Sequence, residues 1–385
     1  MIKITNPAEC CGCTACASIC SKEAITMVEN EKGFFYPLID SQKCIACGLC
    51  VSVCPLKKRK VIHATKSNIK ASFAMRIKNK SILSQSSSGG AFSLLAKYVI
   101  EQNGIVCGAS YDENLIVRHT FSDNVSDCKK FRGSKYSQSD VRGVFLEIKK
   151  YLNSGRIVLF TGTPCQCDGL VTYLRKPYDN LITADVICHS IPSPKYFKQY
   201  LSMVEHKYRK KLREVLMRDK SKGWGVDSYK YIFNDGSSKL NPTNIKCWQQ
   251  IFESGLITRE SCFDCQYTNL IRATDFTIGD FWDFDNKRPE IKSKEGTSVI
   301  LLNTNKAIHI FDEVKEQTEF WSICEDEFMQ PRLRTSSARP FDYDLFWELY
   351  LQNGFDYSYS DNFKPKSKIY GIVSIIKRKI LKLIK

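Results

Sequence analysis

The strongest constraint on this chain is a cysteine spacing that occurs twice. Cys10, Cys13, Cys16 and Cys20 spell C-x2-C-x2-C-x3-C, and Cys44, Cys47, Cys50 and Cys54 spell it again, 34 residues later and ahead of Pro55. Three thiolates on one tight turn reach three irons of a cube, while the fourth opens a short helix and points at a second cube. The spacing therefore predicts two [4Fe–4S] clusters with crossed ligands. Cys10, Cys13, Cys16 and Cys54 hold one; Cys44, Cys47, Cys50 and Cys20 hold the other. Zinc sites also use C-x2-C, but they need no such crossing. Between the two sets, residues 25–29 and 34–39 read as strands joined by Asn-Glu-Lys-Gly, a hairpin.

This is the pattern of the bacterial two-cluster ferredoxins. Two details depart from it: Ser21 replaces the usual proline after the first set, and Cys11 is an extra cysteine read as a non-ligand. Half of the 18 cysteines fall in the first 54 residues, and the start, MIKITNPAECCGC, has no apolar stretch of a signal peptide. Reduced thiolates in a cytoplasmic protein are the expectation. No run reaches the roughly 18 apolar residues of a membrane span.

The formal charge of +16 is concentrated in two places. Residues 56–80 hold nine Lys or Arg and residues 362–385 hold eight, with no acid in either, so the remainder is near neutral. That argues against a nucleic-acid-binding body. The first stretch, opening with Lys57-Lys58-Arg59-Lys60, reads as a solvated linker over 57–80 or as a docking strip for an acidic electron-transfer partner or a polyanionic cofactor tail. In the second, residues 369–385 read as a helix. Ile369, Ile372, Val373, Ile376, Ile380, Leu383 and Ile384 share one arc, with Arg378, Lys382 and Lys385 opposite. Such a helix suits an anionic membrane surface, an acidic partner, or the protein's own body.

From residue 81 onward, strands alternate with helices, the pattern of an α/β domain with a mainly parallel sheet. Two glycine-containing turns open helices, at Ser88-Gly89-Gly90 and at Gly162-Thr163. Free N–H groups at a helix start suit phosphate, although glycine there is also ordinary turn chemistry. Cys165 and Cys188 fall at strand ends or helix starts, and Cys262 with Cys265 forms a C-x2-C loop. Together they make a third [4Fe–4S] site, a zinc site, or a set of buried structural thiols. In DFTIGDFW, residues 275–282, the aromatics read as core or as a wall for a flavin ring.

Six ordered stretches carry a resemblance: SSSGGAFSLL, FRGSKYSQS, RIVLFTGTPCQCDGL, ADVICHSIPSPK, SCFDCQYTNLIRATDFTIGDFW and GTSVILLN. Over residues 5–303 the chain resembles the coenzyme F-420 hydrogenase/dehydrogenase beta subunit family, in the bacterial form with an N-terminal ferredoxin domain. The resemblance implies an α+β ferredoxin module followed by an α/β flavin-binding domain. The corresponding divisions are 1–56, the basic linker 57–80, the flavin and iron–sulfur domain 81–330, and a C-terminal extension 331–385. It also implies FAD near Ser88, Gly89, Gly90, Lys135, Gly162 and Thr163, and a third cluster on Cys165, Cys188, Cys262 and Cys265. Ser190 departs from the glycine expected after Cys188-His189; His189 is the candidate proton donor or acceptor.

The expected function is an oxidoreductase passing electrons between a ferredoxin-like partner or another oxidoreductase subunit, the clusters, FAD and a substrate. Relatives act on deazaflavin or chlorophyll derivatives, or accompany surface-polysaccharide synthesis. The alternatives are an electron-transfer subunit without its own substrate site and a scaffold that has lost its chemistry.

Overall fold

The computed structural model describes residues 1–59, 67–225, 228–283 and 286–359. The basic helix expected at 369–385 lies outside them, as do residues 60–66 of the basic segment.

The cysteine repeat folds as one unit. Strands β1 (Ile25–Glu29) and β2 (Phe35–Ile39) pair antiparallel, as the hairpin reading requires. Each cysteine set lies on a loop that runs into a short helix, Ala15–Ile19 or Leu49–Ser52.

The body contributes β3 (Ala71–Ile77), β4 (Ile105–Tyr111), β5 (Val117–Ser122), β6 (Val158–Gly162), β7 (Leu181–Val186), β8 (Leu212–Leu216), β9 (Lys230–Phe233), β10 (Ser238–Leu240), β11 (Phe276–Asp280), β12 (Ser298–Leu302) and β13 (Thr318–Ser322). Eight of them form one sheet in the order β13-β3-β12-β11-β7-β6-β4-β5. Only its centre is parallel: β4, β6, β7 and β11 run one way. β5, β12, β3 and β13 pair antiparallel. The sheet is therefore mixed, not mainly parallel throughout. Parallel neighbours need long crossovers, which the helices Val144–Asn153 and Pro164–Leu174 supply before β6 and β7. β11 and β12 lack such a helix among the described residues of their connection, and they pair antiparallel.

Two expected divisions move. β3 lies inside the stretch read as linker, yet it sits between β12 and β13 with Ala74 and Met75 fully buried. A strand covered on both faces reads as a short apolar run, and the lysines flanking this one masked it. Nor is 331–385 an extension as far as it is described. Phe346, Trp347 and Tyr350 of the helix Tyr343–Tyr359 pack on Tyr196 and Tyr200 of the helix Pro194–Tyr208, in an aromatic core that the small sheet β10-β9-β8 completes.

Both faces of the large sheet are covered. On one, Leu94, Val99, Ile310 and Phe311 come from the helices Ala91–Glu101 and Asn305–Val314. On the other, Ile2, Val53 and Leu56 of the cysteine module share a core with Phe145, Ile148 and Leu170. The module is thus built into the body through continuous apolar packing, and Thr172 Oγ1 adds a bond to Val53 O at 2.8 Å. Among the described residues no helix is long and apolar enough to cross a membrane.

Candidate functional site

None of the 18 cysteines is in a disulfide. Within the module, Cys13, Cys16 and Cys54 all lie in electrostatic range of Cys10, and Cys16 also of Cys50. The structure thus brings Cys54 to the first set and makes the two sets adjacent. Backbone N–H groups point at three of the sulfurs: Gly12 at Cys10 (3.4 Å), Ala24 at Cys20 (3.4 Å) and Ile2 at Cys50 (3.2 Å). Such bonds stabilise thiolate and tune a cluster's potential. Burial, then the charge of Cys10, pushes the Cys16 thiol up to about 12. A thiol like this keeps its proton at neutral pH until a metal cation takes the proton's place. At the other end, Cys44 is half-buried and Cys47 exposed, with Ile45 beside it 63% exposed.

The four later cysteines come from three distant segments. Cys165 lies in the first turn of the helix Pro164–Leu174, Cys188 just past β7, and Cys262 and Cys265 at and after the turn Glu260–Cys262. They converge: Cys188 is in electrostatic range of Cys262, Cys165 and Cys265, and burial raises its pKa most. Cys262 behaves likewise. Among the described residues no three His, Cys, Asp or Glu side chains close on one point as ligands of a single ion do. A cube takes its thiolates at separate corners. Cys11 lies between the groups, its thiol beside those of Cys13 and Cys165.

A cavity of about 470 Å³ opens along the carboxyl ends of the four parallel strands. Ala109 of β4, Thr161 and Gly162 of β6, Val186 of β7 and Asp280 of β11 all reach it. This is where open α/β sheets bind ligands. Ser88, Gly90, Lys135, Thr163, His189 and Cys188 also line the cavity.

Gly89 does not. Its N–H donates to Ser298 Oγ at 2.8 Å, and a Cβ there would sit 2.1 Å from Met75 O and 2.5 Å from Ser298 N. This glycine allows the turn to press on the backbones of β3 and β12, a packing role rather than a phosphate contact. The turn at Thr163 also differs from the expectation. Its N–H is taken by Gln166 Oε1 at 3.1 Å, a capping box that uses one of the donors an anion would need.

Positive charge in the cavity comes instead from side chains: Arg132, Lys135, Arg218 and Arg332 against Glu253 and Asp280. Burial lowers the pKa of Lys135 to about 7. Arg218 is paired with Asp280. His189 Nε2 lies 3.1 Å from Arg332 Nη2, and burial, then that guanidinium, holds the imidazole neutral with a pKa of about 4.

Several groups in the cavity wall or directly behind it carry no motif of their own. His119 is buried by β6 with Nε2 2.8 Å from Thr161 O, which makes Nε2 the protonated nitrogen. Its Nδ1 has no partner among the described residues, and burial lowers its pKa to about 4. Lys220 Nζ donates to Ser88 O (2.7 Å), Leu83 O (3.0 Å) and Glu295 O (2.6 Å) and so holds the Ser88 turn. Of the aromatics in DFTIGDFW, Phe276 and Phe281 are core residues. Trp282 alone lines the cavity, stacked on Trp224 at 4.8 Å with the Arg218 guanidinium 5.3 Å from its ring.

Fold and site together define a redox protein: an iron–sulfur module built onto an α/β domain with a cavity at its strand ends. Residues 9–58 match the 4Fe–4S dicluster domain, and residues 155–324 match the family described as the C terminus of the coenzyme F420 hydrogenase/dehydrogenase beta subunit. The resemblance read from the motifs is thereby borne out over residues 155–324, with a dicluster domain N-terminal to that match. Among solved structures it is similar to a chain of the F420-reducing [NiFe] hydrogenase complex from Methanosarcina barkeri. The identity is 18% over 75% of this chain and 90% of that one, with a TM-score of 0.46. No curated protein matches it.

Proposed function

We propose that this protein is an iron–sulfur flavoprotein oxidoreductase in which three [4Fe–4S] clusters connect an external redox partner to FAD in the 470 Å³ cavity. The observation that carries this reading is the position of Cys188. It belongs to the convergent set of four thiols and also lines the cavity at the strand ends. A cluster held by these four thiols would adjoin whatever the cavity binds. Bound flavin supplies the exchange between two-electron and one-electron chemistry that clusters alone lack.

The residues present fit that group. Lys135, Arg132 and Arg332 suit the pyrophosphate, Trp282 offers a ring face, and the unpartnered Nδ1 of His119 is a ready acceptor for a ring or ribose donor. His189, held neutral by burial and then by the Arg332 guanidinium, keeps a fixed imidazolium out of the cavity lining. The Arg218–Asp280 pair fixes the Trp282 wall. At the far end, the exposed loop at Cys47 and Ile45 gives the second ferredoxin cluster a surface port for a ferredoxin or another oxidoreductase subunit.

The test is anaerobic purification followed by acid release of the flavin. About one FAD per chain, reducible through the clusters by a reduced ferredoxin, is expected. Iron-replete protein without flavin would leave the alternative of an electron-transfer subunit.

A further inference from the structure

Arg259 is a guanidinium with no exposure at the seam between the module and the body. Its backbone belongs to the later cysteine set: its N–H donates to Ile191 O at 2.8 Å, and Cys262 N donates to its carbonyl at 2.9 Å. Its side chain belongs to the first. Nε donates to Cys10 O at 2.8 Å and Nη2 to Phe35 O at 2.9 Å, while the fork lies over the rings of Tyr36 (4.4 Å) and Phe34 (5.3 Å). Nη1 donates to Gln138 Oε1 at 3.1 Å, and Gln138 Nε2 donates to Cys11 O at 3.2 Å. The Cys10-Cys11-Gly12 turn is therefore gripped from both sides. Gly12, at φ +72°, is the residue that permits it: a Cβ there would stand 2.9 Å from Gln138 Nε2 and 3.0 Å from Arg259 Nη1.

The ion pairs among the described residues give Arg259 no carboxylate; Glu260 next to it is paired with Lys32 at 2.8 Å. Burial works against its charge, and Cys10, Tyr36, Cys11 and Cys262 sustain it. A buried cation needs a countercharge. A thiolate-bound cube is one, and it becomes more negative on reduction.

We propose that Arg259 is the bridge between the first ferredoxin cluster and the third cluster, a positioning residue whose charge raises both potentials and whose fork fixes their separation. This rests on the cluster assignments proposed above. Cys44, Cys47, Cys50 and Cys20, assigned to the second ferredoxin cluster, are not among the groups that hold Arg259, so that cluster serves as the internal control.

The experiment is an EPR-monitored potentiometric titration of the anaerobically purified full chain, with signals assigned by Cys44→Ser and Cys262→Ser. Arg259→Met is expected to shift the first and third midpoints downward and leave the second in place. Arg259→Lys, which keeps the charge, restores most of the shift. If the methionine variant loses iron, Gln138→Glu carries the test: a carboxylate set against the guanidinium neutralises it and lowers the same two midpoints. Twelve irons with unmoved midpoints, three equal shifts, or a lysine variant as altered as methionine would overturn the role of Arg259 alone. A wild type with about eight irons overturns the third-cluster reading, and the bridge with it.

Discussion

The cysteine module and the cavity differ in how their parts are held in the chain. The module takes its eight cysteines from 45 residues, at one spacing used twice. The cavity takes its walls from four strand ends and several loops, between Ser86 and Arg332. A local site is protected by its own geometry: each thiol has one place to go. A dispersed site depends on the whole sheet, so its residues serve packing and ligand at once. Gly89 and Thr163 show the consequence, because both are committed to the scaffold.

The largest effects should fall on the local site. Cys54→Ser removes a buried thiol from the first set and from the core shared with the body. It should lower iron by about four atoms per chain and abolish cooperative unfolding of the module. Unchanged iron would break the crossed assignment.

Gly89→Val, behind the cavity, and Gly162→Ala, in its wall, separate scaffold from ligand. The first drives a side chain into the backbones of β3 and β12 and should destabilise by about 3 kcal/mol or more. The second meets only Gln166 and Phe160 at 3.2–3.3 Å, so the fold should survive while flavin retention falls. Equal thermal stability of Gly89→Val and wild type would return Gly89 to the phosphate site.

His119 gives a pH effect of intermediate size. Its folded pKa of about 4 lies below the usual 6.5, so the unfolded chain binds the proton first as pH falls. Stability contributed by the neutral ring is present above pH 6.5 and lost down to pH 4, by up to about 3 kcal/mol. The difference in Tm between pH 7 and pH 5.5 should shrink in His119→Gln. An identical pH dependence would show that the ring is not buried as described.

Lys135→Met should have the smallest effect, about a tenfold loss of FAD affinity at pH 6.5. Because burial holds Lys135 near pKa 7, wild-type retention should weaken as pH rises from 6.5 to 8.5, and the variant should lose that slope. Parallel slopes would place the anion elsewhere.

The same contrast explains what could be read before the fold was known. The repeat was legible because one spacing rule encodes ligands, turn and hairpin together. Cys165, Cys188, Cys262 and Cys265 were visible only as a set, since nothing local to any one of them distinguishes ligand from buried thiol. Arg259, Gln138, His119 and Lys220 carried no pattern: their roles arise from carbonyls and thiols that the sheet and the module bring to them. β3 was missed because interior burial leaves no alternation and the lysines around it dominate the window.

The proposed electron path requires a third cluster between the module and the cavity. Metal analysis of anaerobically purified wild type beside Cys262→Ser tests it most directly. About twelve irons per wild-type chain and about eight in the variant are expected, with slowed flavin reduction in the variant. About eight irons in both, or zinc retained by wild type and lost from the variant, would contradict it.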